Sequence, residues 1–201
     1  MSRAYGAGPP ADALSRFVPP QDASAPVRRP GAPAPGEQIA SHYGRCFGCG
    51  AEHPAGLHLT VSAGEGVSVH AVLEVGELHQ GAPGLAHGGL LAAAIDEAMG
   101  HVNWLIGVPA VTGRLETTFL RPVPVGSSLH LDARAVAVAG RRVFMTAEAR
   151  LGEDGPVAVS AESVFVQVPL EHFRSNGRAE DVARAAQVAE ETGVRRFEVN
   201  P

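Results

Sequence analysis

Residues 88–106 set the strongest constraint on how this chain can fold. At about 100° per residue, Leu90, Leu91, Ala94, Ile95, Ala98, Met99, Val102, Leu105 and Ile106 fall on one half of a helical wheel. The other half holds Gly89, Ala92, Ala93, Asp96, Gly100 and Asn103, small residues around a single carboxylate. A solvated face would carry Glu, Arg and Gln there. The segment therefore reads as a helix buried on nearly all sides, with a strip that admits close approach of another backbone.

The flanking segments alternate with a period of two. Leu57, Leu59 and Val61 alternate with His58 and Thr60; Val67, Val69, Ala71 and Leu73 alternate with Ser68, His70 and Val72. Ala63-Gly64-Glu65-Gly66 separates the two runs, which predicts a hairpin. Four further strands are predicted at 111–120, 127–138, 142–151 and 157–168, with Gly- and Pro-containing turns between them. The order predicts an α+β fold in which an antiparallel sheet of about six strands wraps one long central helix. Such a sheet has open edges, which invite pairing with a second copy.

The ends differ from this body. Eight of the 16 prolines lie in residues 1–40, with Ala and Gly filling much of the rest, which predicts a disordered or polyproline-like arm. Residues 41–172 form the folded domain, and 173–201 a surface helix or tail, with helix-forming composition at 178–191. No apolar run approaches the length of a membrane span, and the N-terminus lacks the apolar core of a signal peptide. The net charge of −5, with no basic cluster, argues against nucleic-acid binding. The expectation is a soluble, cytoplasmic protein.

The chemistry is concentrated in His79–Gly100. A Gly/Pro loop runs into the helix, and Gly88 and Gly89 expose amides at the positive end of its dipole, where an oxyanion is held well. Asp96 lies two turns on, within the small-residue strip. Desolvation there raises a carboxyl pKa and suits it to general-base work. Pairing with Arg114 or Arg121 is the structural alternative. Glu97 reads as a backbone cap or a solvent-facing group, and His87 as either a loop-fixing or a titrating residue.

The His87-Gly88-Gly89 loop followed by the helical Asp96-Glu97 resembles the hotdog-fold thioesterase superfamily in its PaaI-like branch. The strand order agrees. Cys46-Phe47-Gly48-Cys49-Gly50, Pro54, Gly56-Leu57 and the closing Phe165-Val166-Gln167-Val168-Pro169 are also similar, so the resemblance covers about residues 43–170. It implies that Asp96 is the catalytic carboxylate, as general base or nucleophile. It also implies that the Gly88 amide polarises the thioester carbonyl, that His87 orients the loop or the thioester, and that Thr112 positions the attacking water. The site would form between subunits, with Asp96 and Thr112 of one chain facing His87 and Gly88 of the other. One departure is Gly81, where some relatives carry Asn; His79 or Gln80 would then supply the substrate-side contact, beside Gly89. Arg141 and Arg142, at a hairpin tip, are candidates for the CoA phosphates.

Two cysteines do not make a disulfide framework. His42, Cys46, Cys49 and His53 have the spacing of four tetrahedral ligands. A redox disulfide between Cys46 and Cys49 is a second alternative; the preferred reading is two reduced thiols packed in a Gly turn, with no metal and no organic cofactor. The function expected is hydrolysis of a fatty-acyl or aryl-acyl CoA by a homo-oligomer, either a dimer or a dimer of dimers. The alternatives are a hotdog hydratase or dehydratase, and an inactive acyl-CoA-binding module.

Overall fold

The computed structural model describes residues 17–184. Six strands form one antiparallel sheet: β1 (Thr60–Ala63), β2 (Ser68–Glu74), β5 (Ala110–Phe119), β6 (Ser128–Ala139), β7 (Arg142–Leu151) and β8 (Val157–Gln167), in the order β1-β2-β6-β7-β8-β5. Two short strands, β3 (Gln80–Ala82) and β4 (Leu85–Ala86), pair apart from it just before helix α1 (Gly88–Ile106). This is the expected architecture, and α1 contacts all six strands of the sheet. Strand β1 is shorter at its start than the alternation predicts. Residues 57 and 59 donate their amides to Phe47 and Gly48 rather than to β2, and His58 takes a φ of 51°.

The helix begins and ends where its caps dictate. His87 is the N-cap, and its Nδ1 accepts the Gly89 amide at 3.0 Å. Gly107 closes the other end in the left-handed region at φ 86°, donating to the Asn103 carbonyl. Ala94, Ile95, Ala98, Met99, Val102 and Leu105 are fully buried against Leu73, Leu129, Leu131 and Met145 of the sheet. Each of the larger of these contributes about 1.5–3 kcal/mol through burial. The small-residue strip is less covered than predicted. Ala92, Ala93, Asp96 and Gly100 are only half-buried and Gly89 is exposed, so a single chain leaves this side of α1 partly open.

Residues 17–40 correct the expectation of a disordered arm for that part of the chain; residues 1–16 lie outside the described residues. Gly36 and Ile39 donate to Ala63 and Val61, and Ala63 donates back to Glu37, so the segment pairs with the outer edge of β1. Ile39 is 4% exposed and belongs to the core. Ser24 pairs with Val138 at the end of β6. Arg29 gives its amide to the Leu105 carbonyl and its Nε to the Trp104 carbonyl, satisfying groups that the end of α1 leaves open. Backbone pairing and one buried side chain fix a composition that has no periodicity of its own. With β1 covered, β5 is the sheet edge that remains unpaired among the described residues.

After β8 the chain forms α2 (Glu171–Asn176), and residues 179–184 are helical. The rest of the helix expected over 178–191 lies outside the described residues. No helix among the described residues is long and apolar enough to cross a membrane.

Candidate active site

Asp96 sits at mid-helix on the half-buried strip, facing the start of β5. Thr112 Oγ1 donates to Asp96 Oδ1 at 2.7 Å. The register of β5 against β8 shifts between Thr112 and Arg114, so Gly113 is an extra residue in a bulge beside the site. A bulge re-aims the neighbouring side chain, here toward the helix. Burial pushes the Asp96 carboxyl above its ordinary range, against the lowering effect of the Thr112 hydrogen bond, and the nearby Cys46 sulfur adds to the rise. Arg114 pairs with Glu116 and lies over the Phe17 ring, and Arg121 donates to the Val157 carbonyl.

Gly88 opens α1 at the bottom of a cleft lined by Gly81, Leu85, His87, Leu91, Phe119 and Val123 among others. The Gly89 amide is taken by His87 Nδ1, and the Leu90 and Leu91 amides by the His87 carbonyl, whereas the Gly88 amide has no acceptor among the described residues. A Cβ on Gly88 would touch the edge of the Phe119 ring at 3.4 Å. Phe119, half exposed at the end of β5, lines the same cleft.

The loop before the helix is held by its own residues. The His79 carbonyl accepts the His87 amide at 2.8 Å, and its Nδ1 accepts the Gly76 amide at 3.1 Å. Gln80 donates to Glu77 and accepts the Gly84 amide. Both side chains are used in building the loop, and neither is among the residues lining the cleft beside Gly88. Gly81 is there for steric reasons: a Cβ would lie 2.7 Å from His87 Cα. Arg141 lies in the β6–β7 turn and Arg142 opens β7, with the Arg142 guanidinium 5.7 Å from the Phe144 ring centre; both are absent from the cleft lining.

Gly88 and Asp96 stand eight residues apart on one straight helix, which separates them by about 12 Å at 1.5 Å per residue. A carbonyl under attack by water needs its oxyanion donor and its base within a few ångströms of the same carbon. The two groups of one chain are therefore too far apart to act on one carbonyl.

Behind Asp96, Glu97 turns inward with its side chain 14% exposed, which rules out the solvent-facing one of its two sequence readings. His42 Nδ1, Cys46 Sγ, Cys49 Sγ and the Glu97 carboxylate lie within 4.8 Å of one another. His53 is not among them; it packs edge-on against Phe47. Burial pushes Glu97 up to about 7 and His101, beside it, down to about 4. The hydrogen bond between the two thiols draws Cys46 down and pushes Cys49 up.

Residues 83–158 match the family model of the thioesterase superfamily, a stretch that contains His87, Gly88, Asp96 and Thr112. Among curated proteins, the chain is 33% identical over 100 residues to the acyl-coenzyme A thioesterase THEM5 of Mus musculus, covering 50% of this chain and 40% of that one. It is 26% identical over 97 residues to the acyl-coenzyme A thioesterase THEM4 of Xenopus laevis, covering 48% and 44%. The match thus spans about two fifths of the length of these relatives. A thioesterase superfamily protein of known crystal structure superposes with a TM-score of 0.58 at 29% identity, covering 68% of this chain and 70% of that one. The PaaI protein of E. coli superposes with a TM-score of 0.54 at 17% identity, covering 59% and 88%, which speaks for the fold alone.

Proposed function

Because residues 83–158, which contain Asp96, match the thioesterase superfamily model, we propose that the chain is a member of that superfamily and hydrolyses acyl-CoA thioesters, with Asp96 as general base. The observation that carries this reading is the Thr112–Asp96 hydrogen bond on the half-open strip of α1. It fixes one carboxylate oxygen and leaves the other free to take a proton from water.

The reaction follows from that geometry. Asp96 removes a proton from a water molecule as its oxygen attacks the thioester carbonyl carbon. The charge that develops on the carbonyl oxygen is met by the Gly88 amide at the positive end of α1. The tetrahedral intermediate collapses by breaking the C–S bond, the leaving CoA sulfur takes the proton held by Asp96, and the free acid remains with the Asp96 carboxylate restored. Thr112 acts through Asp96 and is a positioning residue. The separation of about 12 Å within one chain supports a site completed by the Gly88 of a second copy, and the working unit we propose is a dimer or a dimer of dimers. The open edge of β5, which carries Thr112, is where the second copy would pair. The apolar cleft by Phe119 and Leu85 would take the acyl group next to the thioester.

A hydratase would need an imidazole free to exchange protons beside the carboxylate. His87 instead uses Nδ1 to cap the helix, so the hydrolase is the better-supported reading. The test is steady-state hydrolysis of acyl-CoAs from short to long chain and aryl-acyl, followed with a thiol reagent. Release of CoA from at least one class, abolished in Asp96→Asn, is expected. No release from any of them overturns the proposal.

A further inference from the structure

The cluster behind Asp96 supplies no reacting group to the hydrolysis just described. It draws His42, Cys46 and Cys49 from the segment before β1 and Glu97 from the middle of α1. We propose that these four side chains bind one zinc ion in a closed structural site that pins residues 42–50 to the helix.

The donor set is two thiols, an imidazole and a carboxylate, which suits zinc. A tetrahedral ion with bonds of about 2.0–2.3 Å holds its donors about 3.3–3.8 Å from one another. Cys49 Sγ lies 3.6 Å from His42 Nδ1, and Cys46 Sγ lies 3.4 Å from Glu97 Oε2. The wider His42 Nδ1 to Glu97 Oε1 separation of 4.0 Å closes with a small turn of the carboxylate.

Glu97 Oε1 is buried with no hydrogen bond. His101 Nδ1 stands 3.4 Å away, but it is engaged with the Glu97 backbone carbonyl at 3.0 Å. A buried carboxylate oxygen left in this way needs a cation or a donor, and an ion at the centre of the cluster supplies it. Ser41 Oγ, 3.2 Å from Cys49 Sγ, is placed as an outer partner for that sulfur.

The backbone is shaped for the same purpose. In Cys46-Phe47-Gly48-Cys49-Gly50, a Cβ on Gly48 would lie 2.3 Å from Glu97 Cγ, and one on Gly50 would lie 2.4 Å from the Gly44 carbonyl oxygen. Only glycine at both positions lets the turn bring two sulfurs onto one carboxylate. All four donors come from the protein, which marks the site as structural rather than catalytic. On binding, the thiols lose their protons to solvent and the ion is held by two thiolates, one carboxylate and a neutral imidazole.

The experiment uses the full chain, purified under reducing conditions with neither chelator nor added metal. Elemental analysis is expected to find one zinc per chain. Replacement by Co(II) is expected to give thiolate-to-metal charge-transfer absorption and the intense visible bands of tetrahedral cobalt. Glu97→Gln is expected to keep the fold by circular dichroism and to yield zinc to a chromophoric chelator with affinity lowered more than about tenfold, the least that even an outer partner contributes. Cys46→Ser is expected to lose the metal; if that variant does not fold, the cobalt spectrum and Glu97→Gln decide. The proposal is overturned if the reduced chain neither carries nor takes up zinc, if the cobalt complex lacks the thiolate band, or if Glu97→Gln binds zinc as tightly as the unaltered chain. None of these readouts depends on acyl-CoA hydrolysis.

Discussion

Thr112 donates its hydroxyl to Asp96 Oδ1 across 2.7 Å, tying the start of β5 to the middle of α1. The two residues are sixteen apart in the chain, and the strand bulge at Gly113 sets the angle at which they meet. Asp96→Asn keeps the size of the side chain and removes the base, so turnover should fall roughly 10²–10⁴-fold. Thr112→Ala removes one hydrogen bond and should lower kcat less, by about tenfold. Thr112→Ser keeps the hydroxyl and should restore most of it. Rates of CoA release measure all three, and near-normal turnover in Asp96→Asn would make the carboxylate structural.

The segment 17–40 should stabilise the fold. A truncation beginning at Phe17 keeps the contacts of Ser24, Arg29, Gly36 and Ile39; one beginning at Ser41 removes them. Burial of Ile39 alone is worth about 1.5–3 kcal/mol. For a chain of this size, the shorter form should melt on the order of 5–10 °C below the longer one. Equal melting temperatures would show that the segment adds nothing.

Gly81→Asn tests why the loop departs from the Asn found in some relatives. The new Cβ would lie 2.7 Å from His87 Cα, a backbone atom that can yield only if the loop moves. Overpacking of this kind costs about 1–3 kcal/mol, and shifting His87 displaces the Gly88 amide. Both the melting temperature and kcat should fall. If the variant is as stable and as active as the parent, the loop is softer than its hydrogen bonds indicate.

Much of this was legible in the sequence because period and composition carry local information. The helix over 88–106 is legible because its apolar positions repeat at helical spacing, and the structure has it at Gly88–Ile106. The sheet strands after it follow from alternation and Gly turns. The short β3–β4 pair was not legible, because three exposed residues have no pattern. Residues 17–40 were misread for a similar reason: their backbone is fixed by partners in β1 and α1 that lie far along the chain. Asp96 stood out as a charge among small residues, and Thr112 through the family resemblance. Glu97 was missed because its partners, His42, Cys46 and Cys49, come from a segment that only the fold brings to the helix.

The separation of Gly88 and Asp96 leads to the most discriminating prediction. Gly88→Val should be inactive, because the added methyl groups crowd the amide and press on Phe119, whose ring a Cβ already touches at 3.4 Å. Asp96→Asn should be inactive because it lacks the base. If each site takes Gly88 from one copy and Asp96 from the other, subunit exchange between the two variants rebuilds one intact site in every mixed dimer. That site draws Asp96 from the Gly88→Val chain and Gly88 from the Asp96→Asn chain. With random exchange, half of the dimers are mixed and each has one working site of two, so turnover should recover to about a quarter of the parent value. If both groups served the same site from one chain, every site would carry one lesion and mixing would restore nothing. Sedimentation of the mixture, run beside the rate measurement, would establish that dimers had formed and that a null result is a property of the site.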